Sequence, residues 1–197
     1  MKNIIKFIPN SITITRIIMS FIFVHLVIVQ FVYGKEELIN LIVVFLAICF
    51  SDLLDGKIAR KMGHVSIIGA KLDVFADLLY IALSYTTLIV LKILPLWFLG
   101  FVFFKFVEFV VTSNFVNKYN KSSDNPFVFD KIGRVVSAIF FIIPGIASIY
   151  KYLMPYNEGY FINVLLYIIF VVGIYSSYLR TKSCFILVAL NTNKYSG

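Results

Sequence analysis

Six apolar stretches follow one another along the chain, each close to the ~20 residues that a helix needs to cross a hydrocarbon core. They run over Ser11–Tyr33, Glu37–Arg60, Ile67–Leu94, Leu96–Lys118, Phe129–Tyr152 and Tyr160–Arg180. The polar breaks between them are short. "YGKEE" and "MGHVS" separate the first three, Pro95 divides the third from the fourth, and "NKSSDNP" and "MPYNEG" precede the last two. Strands of a membrane barrel are ~10 alternating residues, so stretches of this length argue against that architecture. The sequence predicts an all-α, polytopic integral membrane protein: a six-transmembrane-helix bundle over residues 11–182, preceded by a short interfacial helix at 1–10 and followed by a cytoplasmic tail at 183–197. "MKNIIKFI" intersperses Lys2, Asn3 and Lys6 with apolar neighbours, which suits a helix lying at the interface. The first apolar stretch is too long for a secretory signal and no small-residue cleavage site follows it, so it is expected to be retained.

Charge sets the orientation. Of eighteen basic residues, Lys35, Lys92 and Lys151 alone fall at the breaks after spans one, three and five, while Lys57, Arg60, Lys61, Lys118, Lys121, Lys131, Arg134, Arg180 and Lys182 gather with both termini at the opposite face. That face is expected to be cytoplasmic, in the cell membrane. The formal +8 is then explained by topology and by attraction to anionic headgroups, not by a nucleic-acid partner. Cys49 and Cys184 lack metal-type spacing and read as packing residues.

Against this background the acids are conspicuous. "SDLLDGKIAR" closes the second span and "GAKLDVFAD" opens the third. A charged side chain at mid-membrane costs roughly 2.5–3.5 kcal/mol, so four uncompensated carboxylates would cost on the order of 10 kcal/mol. Asp52 and Asp55 are three residues apart and Asp73 and Asp77 four, which places each pair on one face of its helix. Gly56, Ala59 and Gly69 are small residues in register with them and permit close helix approach. Two divalent cations would balance four carboxylates, and an all-oxygen donor set favours Mg²⁺ or Mn²⁺ over zinc. The alternative is a solvated cap in which Arg60, Lys57, Lys61 and Lys71 pair with the acids. A third reading, a divalent-cation transporter, explains the carboxylates but not the fixed offsets of Gly56, Ala59, Arg60 and Gly69.

The pattern Asp52-x2-Asp55-Gly56-x2-Ala59-Arg60-x8-Gly69-x3-Asp73-x3-Asp77 resembles the signature of the CDP-alcohol phosphotransferase family at every defined position. The resemblance implies phospholipid biosynthesis: metal-dependent transfer of a phosphatidyl group from a CDP-linked lipid such as CDP-diacylglycerol to a small alcohol, with release of CMP. It implies two metal ions held by Asp52, Asp55, Asp73 and Asp77, with Asp77 as the base for the acceptor hydroxyl. Asp52, Gly56, Ala59, Arg60 and Gly69 would then contact the CDP moiety and its phosphates, on the cytoplasmic side of a homodimer. "IPNSITITR", residues 8–16, is similar to the start of the first membrane helix in phosphatidylglycerophosphate and cardiolipin synthases, with Pro9, Asn10, Thr13 and Arg16 as the matching positions. Its plainer reading is a helix start capped by Asn10 or Ser11. Glycerol-3-phosphate is the acceptor that this subgroup suggests, with inositol phosphate, inositol or serine as alternatives. Val74 and Leu78, however, stand where glycerophosphate-using members carry proline and lysine. Lys131, Arg134 and Lys105 are candidate contacts to a phosphorylated acceptor. The plainer readings are positive-inside anchoring for the first two and an internal pair with Glu108 for Lys105, which shares a polar stripe with Glu108 and Thr112.

Overall fold

A computed structural model describes the backbone of residues 8–61, 67–119, 131–156 and 159–195, and the side chains of residues 11–54, 69, 72–113, 115–116, 133, 135–156 and 159–185. The described residues contain six helices and no strand: α1 Ile8–Phe31, α2 Leu38–Lys61, α3 Ile67–Val90, α4 Leu96–Tyr119, α5 Lys131–Leu153 and α6 Tyr160–Tyr195. Five contain stretches long and apolar enough to cross a membrane: Ser11–Phe31, Leu72–Val90, Leu96–Ser113, Val135–Leu153 and Tyr160–Phe185. In α2 the described stretch Leu38–Leu54 is apolar as well. The chain is thus a polytopic membrane protein. The interfacial segment expected at residues 1–10 lies mostly outside the described residues, α1 beginning at Ile8, and α6 continues through residues 183–195 as helix.

Lipid offers no hydrogen bonds, so hydroxyls within these helices turn back to their own backbone. Ser20 donates to the Arg16 carbonyl at 2.8 Å, Ser84 to Tyr80 at 2.6 Å, Thr112 to Glu108 at 2.6 Å and Ser148 to Pro144 at 2.8 Å. The α1–α2 connection is a tight turn with Gly34 at φ +65°, where a side chain would be strained. Gln30 Oε1 accepts from the Glu37 amide at 2.8 Å and ties the end of α1 to the start of α2.

The helices form two compact units. The first comprises residues 1–95 and 141–159, hence α1, α2, α3 and the second part of α5. Within it α1 packs against both α2 and α3. Its core is an aromatic series: Phe23 lies 6.4 Å from Phe45 and 5.7 Å from Tyr80, whose ring is 4.6 Å from Phe141. Gly145 lets α5 come close enough that a Cβ there would meet the Phe45 ring at 2.4 Å. The second unit comprises residues 96–140 and 160–197, with α4 packed on α6. Its core is also aromatic: Phe101 lies 4.7 Å from Phe170 and 5.8 Å from Phe140, and Trp97 stacks on Tyr167 at 5.2 Å.

Candidate functional site

In the first unit the buried stripe of each helix is apolar along most of its length and polar at one end. On α1 the stripe is Thr13, Arg16, Ser20, Phe23, Val27 and Gln30, all buried, while Ile14, Ile18 and Phe21 face outward. On α2 it runs Leu41, Phe45, Ile48 and then Asp52; on α3 it runs Asp73, Ala76, Asp77, Tyr80, Ser84 and Leu88. The intervals of three and four residues keep these positions on one helix face. The carboxylates therefore continue the same faces that build the core, and they meet where the aromatic series ends.

Arg16 sits at the meeting point and is wholly buried. Its Nη1 donates to Asp77 Oδ1 at 2.7 Å and to Asp73 Oδ1 at 2.8 Å, and lies 3.2 Å from Asp52 Oδ1. Its Nε donates to Ser51 Oγ at 3.4 Å, and Ser51 donates in turn to the Ile48 carbonyl at 2.8 Å. The three aspartates keep 37%, 38% and 33% of their side-chain surface exposed for Asp52, Asp73 and Asp77, so the cluster opens on one side while its guanidinium core is closed. One oxygen from each carboxylate lies within 4.8 Å of the others. Oxygens bound to Mg²⁺ at 2.0–2.1 Å sit about 3 Å apart when adjacent and about 4.2 Å apart when opposite, so this set would contract to ligate a hard divalent cation. Three carboxylates against one guanidinium leave a formal charge of −2 among these groups, which matches one such ion.

The aspartates predicted on α2 and α3 are thus brought together in three of four cases. Gly69 is described near the start of α3. Asp55, Gly56, Ala59 and Arg60 on α2, and Lys131 and Arg134 on α5, have side chains outside those described. Lys105 belongs to the second unit, where it is buried and its Nζ donates to Glu108 Oε2 at 2.8 Å and to Ser177 Oγ at 2.9 Å; Ser177 Oγ donates to the same Glu108 oxygen at 2.6 Å. That closed triangle is the internal pair anticipated as the plainer reading, with Ser177 of α6 added. One turn further along, Arg180 donates to Thr112 Oγ1 and, at 3.0 Å, to Ser113 Oγ, with its guanidinium 4.8 Å from the centre of the Phe109 ring. The polar stripe of α4 is therefore engaged by α6, as expected where interhelical hydrogen bonds replace a hydrophobic drive. Both cysteines are free thiols.

Arg16 is the residue whose role the motif reading missed. It was visible as one position of the "IPNSITITR" stretch, but the stronger signal was physical: Thr13, Arg16 and Ser20 form a polar stripe inside a membrane span, and an arginine there requires acids opposite.

Parts of the chain are similar in sequence to known proteins. A stretch of 113 residues, 57% of this chain, is 37% identical to a "Probable cardiolipin synthase (CMP-forming)" of Drosophila melanogaster, covering 33% of that protein. A shorter stretch of 47 residues, 24% of the chain, is 49% identical to a "Cardiolipin synthase (CMP-forming)" of Streptomyces coelicolor and covers 22% of it. The chain thus spans a third or less of the length of these curated relatives. The family model described as CDP-alcohol phosphatidyltransferase matches residues 6–175, which include α1 to α5, the aspartate cluster and the first part of α6. The chain belongs to the CDP-alcohol phosphatidyltransferase family.

Proposed function

We propose that this protein transfers a phosphatidyl group from a CDP-linked lipid, CDP-diacylglycerol, to an alcohol and releases CMP. The observation that carries the reading is the convergence of one oxygen each from Asp52, Asp73 and Asp77 within 4.8 Å, in a chain of this family. These residues, with Asp55, would hold Mg²⁺ or Mn²⁺. When bound there, a divalent ion supplies charge stabilisation for the attacking and leaving oxygens of a displacement at phosphorus. The donor's own diphosphate adds the negative charge that a second ion would balance.

The chain's residues divide the remaining work. Asp77, one-third exposed, takes the proton from the acceptor hydroxyl as that oxygen bonds to the lipid-bearing phosphorus, and the bond from that phosphorus to the CMP oxygen breaks. Asp52 and Asp73 would hold the ions at the donor's diphosphate end, with Gly56, Ala59, Arg60 and Gly69 beside the nucleotide and its phosphates. Phe23, Phe45 and Tyr80 continue the same helix faces from Arg16, Asp52 and Asp77 into a buried aromatic core. The open side faces the cytoplasm in the orientation that the basic residues favour, and the protein works in the cell membrane as a homodimer.

The acceptor is itself a phospholipid of the phosphatidylglycerol type, ahead of glycerol-3-phosphate, inositol phosphate, inositol or serine. Val74 and Leu78 in place of the proline and lysine of glycerophosphate-using members support this, and so do the names of the CMP-forming relatives. Purified protein in mixed micelles with CDP-diacylglycerol, Mn²⁺ and each acceptor in turn tests both levels. CMP and cardiolipin should appear together with phosphatidylglycerol. CMP formation with glycerol-3-phosphate alone would move the acceptor assignment, and no CMP with any acceptor would remove the activity.

A further inference from the structure

We propose that Arg16 is a positioning residue for the metal site: a tethered cation that holds Asp52, Asp73 and Asp77 together in the absence of a divalent ion and competes with one for the same oxygens. The inference rests on the metal-site reading above. Its basis is geometric. A single nitrogen, Arg16 Nη1, is 2.7, 2.8 and 3.2 Å from one oxygen of each of the three carboxylates, which come from two helices and approach it on a third. Mg²⁺ would need such oxygens at about 2.0–2.1 Å, so the guanidinium gathers them 0.6 Å or more too wide for an ion at the same centre. Nitrogen and ion cannot share that centre. As an ion enters, the carboxylates contract and Nη1 gives up part of its contacts, while Nε keeps the arginine tethered through Ser51 Oγ.

The burial of Arg16 makes this more than an incidental contact. The side chain is wholly buried, whereas the aspartates stay about one-third exposed. The arginine is therefore a permanent member of the cluster, and the exchangeable member must arrive from the aspartates' open side. Two consequences follow. Without divalent ions, three acids on α2 and α3 are kept from repelling one another, so the site is assembled before metal or donor binds. With divalent ions, the fixed positive charge weakens binding: even at the dielectric constant of water, a unit charge ~5 Å from a dication changes affinity by about tenfold.

The test compares Arg16→Met, which keeps bulk and removes charge, with Arg16→Lys, which keeps charge without the planar fork. Mn²⁺ binding to detergent-solubilised protein is followed by electron paramagnetic resonance, and thermal unfolding is measured with and without Mn²⁺; Asp52→Asn/Asp73→Asn serves as the metal-site control. Arg16→Met should melt lower than wild type without ions, bind Mn²⁺ about tenfold more tightly, and gain more melting temperature from Mn²⁺ than wild type does. Arg16→Lys should keep an affinity near that of wild type. Should Arg16→Met fail to fold without ions, recovery of folded protein by expression or purification in Mn²⁺ gives the same answer. If wild type binds Mn²⁺ through the two aspartates but Arg16→Met binds it equally or more weakly, the role assigned to Arg16 is wrong. If wild type binds no Mn²⁺ that the asparagine control abolishes, the metal-site reading falls and this inference with it.

Discussion

Asp77→Asn separates the chemical role of the cluster from its structural one. Asparagine has the same shape, and its amide oxygen can still accept from Arg16 Nη1, now 2.7 Å from Asp77 Oδ1. What is lost is the charge. A hydrogen bond involving charged partners contributes about 1.5–3 kcal/mol and a neutral one about 0.5–1.5, so the exchange should cost about 1 kcal/mol of stability. The retained contacts of Asp52 and Asp73 with Arg16 keep the helices together. Turnover responds very differently, because an amide takes no proton from an alcohol. General-base catalysis contributes roughly 10²–10⁴-fold, and the loss should fall in that range. The assay is CMP release from CDP-diacylglycerol with phosphatidylglycerol as acceptor, beside thermal unfolding and CDP-diacylglycerol binding on the same preparation. A folded, donor-binding and nearly inactive protein is expected. Turnover close to wild type would refute Asp77 as the base, and gross unfolding would mean that its charge serves assembly first.

Other perturbations address the remaining parts. Glu108→Gln leaves the buried Lys105 ammonium without its counter-charge and should destabilise the protein by about 3–5 kcal/mol, seen as a lower melting temperature, whereas Lys105→Met/Glu108→Leu should lie nearer wild type. If Lys105→Met in the Glu108→Leu background raises KM for a phosphorylated acceptor without lowering kcat, Lys105 reaches substrate after all. Gly145→Ala drives a methyl into the Phe45 ring, 2.4 Å from the new Cβ, and should cost about 1–3 kcal/mol that Phe45→Leu partly restores; additive losses would show that the two sites do not touch. EDTA should stop CMP release, with Mg²⁺ or Mn²⁺ restoring it, since the converging donors are carboxylate oxygens. Undiminished turnover in excess chelator would exclude the metal-dependent route.

The helices were legible because lipid imposes a single requirement on a spanning segment, and the apolar lengths state it directly. Asp52, Asp73 and Asp77 were legible for the complementary reason: acids in such segments must face partners, and intervals of three and four put each pair on one face. Arg16 was less so. Its partners lie 36, 57 and 61 residues away on other helices, and no local spacing reports a contact made by the packing of α1 on α2 and α3. Lys105 shows the opposite case. Glu108, one turn away on the same helix, announced the pair, while Ser177, 72 residues distant, closed it. Beyond the apolar stretch that ends at Arg180, α6 continues to Tyr195, because polar residues there end the apolar run without breaking the helix.

Carboxylates of α2 and α3 are proposed to hold the catalytic divalent ions. Crystals grown with Mn²⁺ and a CDP-lipid analogue, measured at the manganese absorption edge, address this proposal directly. An anomalous peak should lie between the carboxylates of Asp52, Asp73 and Asp77, next to the diphosphate. Manganese found elsewhere, or a bound diphosphate with no manganese beside those oxygens in protein that Mn²⁺ activates, would contradict it.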